Sequence, residues 1–370
     1  MLSLSRKNPE RILVVRPDRI GDVVLSTPVY HTLKDSFPGA FVGALVSSYT
    51  APLLHQNPYV DLVVTDDPDR NVPAKTSLRL KAKEIRSYDF DTALLLMPTK
   101  RLAYALFVAG IPRRVGVGHI LYEVITFMHG VSRRKYNPIR HESDYMLDLA
   151  RNIGATKIWT KPEIYLTEEE KQSARNFLEQ KGFDITNPIV TIHPGSGHSS
   201  PNWEVGRYNR LAEMLVHHGV QVLVTGSGTE REFEKSFLSV SAESPSPVRT
   251  TFGELSLREL AAVISQVSLL ISSSTGPMHI ASAVGTATVS MFCPLSACSP
   301  KLWGPLGNTA RIILPPDDFC HAKCPGDPHI CAFGSDDEGI QVGTVFESVM
   351  ELLTKSKAAY DYSASDGKRR

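Results

Sequence analysis

Cysteine is scarce in this chain and confined to one end: all five residues lie after position 290. An odd number crowded together makes no disulfide framework, so a reducing, cytoplasmic setting is expected. Long apolar runs are missing. Nothing approaches the roughly 18 consecutive apolar residues of a membrane-crossing helix, and the opening MLSLSRKNPE lacks the apolar core of a signal peptide. Charge of one sign is missing as well: 40 Lys and Arg stand against 39 Asp and Glu, which argues against a strongly basic nucleic-acid binder. Several catalytic signatures are also absent. Neither half carries G-x-G-x-x-G after its first strand, and Gly226-Ser-Gly228-Thr-Glu-Arg231 fails at the last glycine. There is no G-x-x-x-x-G-K-[ST] loop, no H-E-x-x-H and no paired C-x-x-C. Dinucleotide oxidoreductases, P-loop NTPases and catalytic zinc enzymes are disfavoured on those grounds.

What the chain does have is a rhythm of strands and helices. Arg11–Arg16 reads as a buried strand, Gly21–Phe37 as a helix and Ala40–Val46 as a second strand. Leu62–Thr65 and Asp91–Leu96 are further strands, with a helix over Ser77–Arg86 between them. Such alternation predicts a parallel sheet covered on both faces. From about 125 to 165 the pattern weakens, apart from a helix over Ser143–Ile153, and reads as an inter-domain connection. Thr167-Glu-Glu-Glu then opens a capped helix that runs to Gly182. The rhythm restarts with strand Ile189–His193, helix Val205–His218, strand Val220–Thr225 and helices Thr229–Val240 and Ser256–Val267. A chain of 370 residues is long for one core, so two domains are expected, at 1–165 and 166–355, with a disordered polar tail over 356–370.

Three stretches carry chemistry. In Val267–Pro294 an apolar strand (Val267–Ile271) runs into Ser272-Ser273-Ser274-Thr275-Gly276, a small-residue turn. Pro277 suits the first position of a helix through His279 to Ala283, and Thr288–Phe292 closes the unit as a strand. Small residues at a helix N-terminus leave backbone N–H groups facing outward, a setting that attracts phosphate. Near the other end of the chain, Asp22 falls where the first strand gives way to the first helix. In open α/β sheets ligands sit at that edge. Asp22 is read there either as a helix-capping carboxylate or as a general base. The third stretch, His193-Pro194-Gly195-Ser196-Gly197 through Asn202-Trp203, suits close backbone approach to phosphate and is equally the composition of a flexible loop.

Taken together, these stretches resemble a known family. R-x-D-R-I-G-D-V-V-L-S-T-P at 16–28, H-P-G-S-G-x(5)-N-W at 193–203 and S-T-G-P-M-H-I-A at 274–281 resemble, in order and spacing, motifs of glycosyltransferase family 9, the ADP-heptose:lipopolysaccharide heptosyltransferases. H-E-S-D-Y at 141–145 fits the same pattern. The resemblance implies a GT-B architecture, two Rossmann-like domains with parallel sheets facing a central cleft, and an inverting transfer without metal or cofactor. It also implies a nucleotide-sugar donor and a lipid-linked glycan acceptor such as the lipopolysaccharide inner core. No nucleic-acid partner is implied, and the enzyme would be cytoplasmic with peripheral contact at the inner face of the inner membrane. Asp22 matches the proposed catalytic base. Ser196, Gly197, Gly226, Ser227, Ser274, Thr275, Gly276 and His279 match donor-binding positions, and Arg19, Lys100, Arg101 and Arg113 are the expected acceptor-binding cations. A GT-B enzyme using a UDP sugar and a weakly catalytic nucleotide-sugar-binding homologue are the alternatives.

One departure from the family pattern stands out. Pro201 occupies the place, two residues before Trp203, where members commonly carry Lys or Arg toward the leaving diphosphate. Arg207, Arg210 or the helix dipole would have to compensate. Elsewhere Lys75, Arg79, Lys83 and Arg86 share one face at helical spacing opposite Leu78, Ala82 and Ile85. They are read either as a solvated face or as part of a surface for an anionic acceptor. Cys320, Cys324 and Cys331, with His321 and His329, are too irregularly spaced to be read as a zinc site.

Overall fold

Ile12, Leu13, Val14 and Val15 are fully buried, so the first strand, β1 (Arg11–Val15), is covered on both faces, as a central parallel strand must be. The computed structural model describes residues 8–68, 73–118, 121–197, 200–237, 246–327, 329–334 and 338–366, with side chains to residue 355 apart from that of Lys135. The chain forms two units, Met1–Tyr165 and Leu166–Arg370.

In the first unit β1 is joined by β2 (Phe41–Val46), β3 (Leu62–Thr65), β4 (Thr92–Leu95), β5 (Arg113–Gly116) and the short β6 (His129–Gly130). All pairs are parallel, in the order β3-β2-β1-β4-β5-β6. Helices α1 (Ile20–Ser36), α2 (Ala74–Arg86), α3 (Lys100–Ala109), α4 (Leu121–Ile125) and α5 (Glu142–Asn152) accompany the strands. One core is built from Leu13, Val15, Leu45, Leu95, Ala82, Ile85 and Leu106. Each large side chain so buried stabilises the fold by roughly 1.5–3 kcal/mol. Ala82 and Ile85 are the inward side of the amphipathic α2, as its spacing predicts.

Pro28 lies inside α1 and deprives the Val24 carbonyl of its usual donor. The Thr27 hydroxyl supplies one instead, at 2.8 Å. Thr27, Thr32 and Ser36 form a ladder of hydroxyls that accept the backbone N–H groups of Glu163, Trp159 and Lys157 at 2.9–3.0 Å. The stretch 125–165, expected as a connection between domains, is therefore part of the first unit. It supplies β6, α5 packed on α1, and a strap along α1. α5 buries Tyr145, Met146, Leu147 and Leu149 as its period predicts, whereas the strap is held mainly through hydroxyls and backbone N–H groups, so no hydrophobic period announces it.

The second unit repeats the same order: β12-β11-β10-β7-β8-β9. Its strands are β7 (Ile189–His193), β8 (Gln221–Gly226), β9 (Val248–Phe252), β10 (Leu269–Ser273), β11 (Ala287–Met291) and β12 (Ala310–Ile313). Around them lie α6 (Glu168–Gln180), α7 (Val205–His217), α8 (Leu257–Ile264), α9 (Gly276–Val284), α10 (Pro300–Trp303), α11 (Asp317–Lys323) and α12 (Val342–Asp366). Thr167 and Glu170 form the expected capping box on α6. Three expectations shift. Ser272 and Ser273, read as turn residues, are the last two of β10 and are fully buried. The helix expected over Thr229–Val240 begins instead as a 3-10 turn, Gly228–Phe233, with Glu230 accepting from the Ser227 N–H and hydroxyl. Its last residues, 238–240, lie outside the described residues. α12 also carries helix past Lys355, into the segment expected to be without order.

Candidate functional site

In each sheet the first and fourth strands of the unit are neighbours, β1 beside β4 and β7 beside β10. The chain leaves them toward opposite sides, and the carboxyl ends of such a strand pair are where ligands bind.

At that point in the first unit stands Arg16, directly after β1 and almost fully buried. Its guanidinium donates to the Leu96 carbonyl beyond β4 at 2.8 Å, to Asp18 at 3.1 Å and to Asp22. Glu142 of α5 lies 3.6 Å from it and is also paired with Arg133 at 3.0 Å. Two guanidiniums thus face three carboxylates, a charge excess that favours keeping one proton in the cluster. Burial raises the Asp18 carboxyl to about 7, against the opposing pull of Arg16 and with reinforcement from Asp22 and Glu142. Burial likewise raises Glu142, in spite of Arg133 and Arg16. Arg16 remains raised because Asp22, Asp18 and Glu142 outweigh its own burial. Asp22 sits in the first turn of α1, after the extended N-cap Arg19. Its Oδ1 accepts from Arg16, and among the described residues Oδ2 accepts from none.

A folded Asp18 titrating near 7 holds a proton that the unfolded chain has released from about 3.8 upward. Stability therefore falls as pH rises through that window, by at most about 1.4 kcal/mol per pH unit for one proton. Asp18→Asn is expected to flatten the fall in Tm between pH 4 and 7 relative to wild type. Identical slopes in the two proteins would place Asp18 outside the buried proton balance.

In the second unit the corresponding edge is built from backbone and hydroxyls. His193 ends β7 with Nδ1 2.9 Å from the Thr225 hydroxyl, and burial lowers its pKa, favouring the neutral ring. The following loop is pinned by Asn202. Its Nδ2 donates to the Pro194 carbonyl at 2.6 Å, and its Oδ1 accepts from the Tyr208 hydroxyl at 2.8 Å. A Cβ at Gly195 would stand 1.8 Å from Glu230 Oε1, so any larger residue there must displace the Glu230 carboxylate. Glu230 Oε2 in turn accepts from the Ser227 N–H and hydroxyl, both at 2.8 Å. Gly226 is equally confined, 2.2 Å from the Phe252 ring if given a Cβ. α9 starts with Thr275 at the N-cap, which makes no side-chain capping bond, and Pro277 has no N–H to offer. Thr275 Oγ1 is buried and unpartnered among the described residues. A helix N-terminus left uncapped in this way presents donors and the positive end of its dipole to an anion.

The predicted site residues therefore fall into groups. Ser196 and Gly197 follow β7, Gly226 and Ser227 end β8, and Ser274, Thr275 and Gly276 follow β10, so three adjacent strands bring them to one edge. His279 is buried in the first turns of α9. Arg19 and Lys100 are exposed at the carboxyl edge of the first sheet, and Arg101 pairs with Asp66. Arg113 is different. It opens β5 in register with Thr92, at the amino edge and away from Asp22, and its guanidinium donates to the Asn152 carbonyl at 3.3 Å. Lys75, Arg79 and Lys83 are exposed on α2. Pro201 is buried, and Arg207 is turned to the Ala332 carbonyl at 3.4 Å. Sequence reasoning missed Arg16, Asp18, Glu142, Arg133 and Glu230. The first three were in view inside the R-x-D-R-I-G-D and H-E-S-D-Y strings, but nothing in a linear string shows that residues 16 and 142 meet.

Comparison with known proteins bears on the family and the fold. The sequence model of glycosyltransferase family 9 (heptosyltransferase) matches residues 78–326, well over half of the chain. Lipopolysaccharide heptosyltransferase 2 of Escherichia coli K12 is 25% identical over 82% of this chain and 87% of its own length. A family 9 glycosyl transferase from Veillonella parvula has a solved structure that superposes with a TM-score of 0.78 at 22% identity, over 94% of this chain and 98% of that one. The ADP-heptose LPS heptosyltransferase II of E. coli gives 0.74 at 22% identity, over 94% and 99%. The fold is thus of the GT-B class, two Rossmann-like units in one chain. With two thirds of its length matched by the family's own pattern, the chain belongs to glycosyltransferase family 9.

Proposed function

We propose that the protein transfers a heptose from ADP-heptose to a lipopolysaccharide inner-core glycan, with inversion and without a metal ion. The observation that carries this reading is Asp22, a carboxylate fixed through Oδ1 by Arg16, with Oδ2 free of protein donors among the described residues. Such an oxygen can take the proton of an acceptor hydroxyl as that hydroxyl attacks the anomeric carbon. The bond from that carbon to the diphosphate breaks, and the diphosphate leaves carrying the electron pair. Its charge is met by the N–H groups opening α9 and by the Ser196–Gly197 backbone, since backbone donors and a helix dipole can stabilise an anion. Arg19 and Lys100 are positioned to hold the acidic acceptor. The lipid-linked acceptor places the enzyme at the inner face of the inner membrane.

A thermal-shift screen of ADP, GDP and UDP sugars tests the donor. ADP-heptose at about 100 times its Kd is expected to add about 2.7 kcal/mol of stability and raise Tm by several degrees; a larger rise with a UDP sugar would sink the ADP assignment. Chelation of divalent ions is expected to leave transfer unchanged. The buried Pro201 favours a second reading, a slow transferase that binds donor but turns over poorly. Donor stabilisation without transfer to any inner-core acceptor would support that reading instead.

A further inference from the structure

Arg16 fixes Asp22 in place, but a guanidinium bonded to a carboxylate favours its charged form and so weakens it as a base. The same guanidinium has a second carboxylate at its other end. Nη2 donates to Asp22 Oδ1, while Nη1 lies 3.6 Å from Glu142 Oε1. Glu142 opens α5, and its side chain is 4% exposed against 14% for Asp22. It is too enclosed to meet an acceptor itself, so any part it plays is through the groups it touches.

Those groups come from several elements. In the loop after β6, Arg133 Nη1 donates to Glu142 Oε2 and to the Tyr136 hydroxyl, each at 3.0 Å. Asp18 accepts from Arg16 Nε at 3.1 Å. Tyr30 of α1 lies within reach of the Arg16 charge and stays neutral, its phenol raised by burial. His141, beside Glu142, turns Nδ1 to the Ser143 N–H at 3.2 Å and caps α5. Burial raises the Glu142 carboxyl most; Arg133 and Arg16 oppose it, and the Asp22 charge adds to it. Interaction between two charges is mutual, so an ionised Glu142 acts on Asp22 as Asp22 acts on it.

We propose that Glu142 is a positioning residue for proton removal: sharing Arg16 with Asp22, it keeps Asp22 a stronger base than the guanidinium alone would leave it. The inference rests on the base role proposed for Asp22. Two substitutions in the Glu142–Arg133 pair should then move Asp22 in opposite directions. Glu142→Gln keeps an oxygen for both guanidiniums and loses the charge, whereas Arg133→Gln leaves that charge unshared. In the full chain, isotopically labelled at aspartate carboxyl carbons, the NMR resonance that Asp22→Asn removes reports the Asp22 proton. Its midpoint should fall by about one pH unit in Glu142→Gln, the scale of two like charges in a partly screened site, and rise in Arg133→Gln. The acid limb of kcat for transfer from ADP-heptose to a core oligosaccharide should shift in the same two directions. In Glu142→Gln the kcat plateau should also drop about threefold with KM little changed, because a weaker base accepts the proton less readily in the transition state. Glu142→Asp, which keeps the charge with less reach, should recover part of both effects, and Ser143→Ala in the same turn should show neither. Equal midpoints in wild type and Glu142→Gln overturn the proposal, as do shifts of one sign in both variants. Should Glu142→Gln not fold, an Arg133→Gln midpoint at or below the wild-type value overturns it.

The midpoint needs no substrate, so the two readings separate. If it moves as expected but wild type transfers no sugar, the function fails and the coupling stands. If Asp22→Asn abolishes transfer while Glu142→Gln changes neither midpoint nor limb, the function stands and the coupling falls.

Discussion

Asp22→Asn is expected to lower kcat by about 10²- to 10⁴-fold, the usual worth of a positioned general base, while leaving the donor Kd within about twofold of wild type. The reasoning is geometric. Asparagine keeps an oxygen for the Arg16 guanidinium, which Asp22 now holds, so the turn that opens α1 retains its shape. What disappears is the oxygen able to take a proton. The proposed donor contacts belong to the other unit, on the loops after β7, β8 and β10, and the substitution does not alter them. Single-turnover transfer, with donor affinity measured by calorimetry, separates the two quantities. Wild-type turnover by the asparagine variant would remove Asp22 from the base role and return it to helix capping.

The second large effect is expected on stability. Arg16→Met removes the one cation among the described residues that touches Asp18, Asp22 and Glu142 together. It also strips the Leu96 carbonyl of its donor. Breaking a buried ion pair from one side costs about 3–5 kcal/mol, because the remaining charge stays buried without a partner. The loss should be greatest near pH 8 and shrink toward pH 4, as Asp18 and Glu142, both raised by burial, take up protons and no longer require a cation. Hydrogen exchange at β1 and β4 amides reports the first unit alone, which matters because a two-unit chain need not unfold in one step. Arg16→Lys should recover part of the loss. Protection equal to wild type in the methionine variant would show that Arg16 does not hold the cluster together.

Much of the fold is legible in the chain because central parallel strands write themselves as apolar runs. RILVV and IVTIH are bounded in the sequence nearly where they are bounded in space. The same rule hides other parts. Ser272 and Ser273 complete β10 with small hydroxyl side chains, and no hydrophobic scale separates such residues from a turn. The 156–165 strap is held by hydroxyls of α1 and by His31, whose ring stacks 3.8 Å from Tyr59 and 4.2 Å from Trp159, a contact set with no period to detect. Among the candidate site residues, Asp22 and the Ser274–Gly276 turn could be singled out because strand-to-helix junctions are local. Arg16, Glu142 and Arg133 could not, since their meeting depends on α5 folding back onto α1. Arg113 illustrates the reverse error. Its charge suggested acceptor binding, and only strand register reveals that it sits at the wrong edge of the sheet.

The strand order has a consequence for how the protein is made. β1 pairs with β4 through Ile12 and Thr92, and β7 with β10 through Val190 and Leu269, so each pairing closes a loop of about 80 residues. These are slow, non-local closures, whereas the local contacts within helices would form early. The Arg16 guanidinium cannot reach its carbonyl until Leu96 has arrived, and the Ser274–Gly276 turn cannot flank the Gly195 loop until the second sheet has closed. On the ribosome, each half therefore gains its chemistry only after most of its scaffold has emerged.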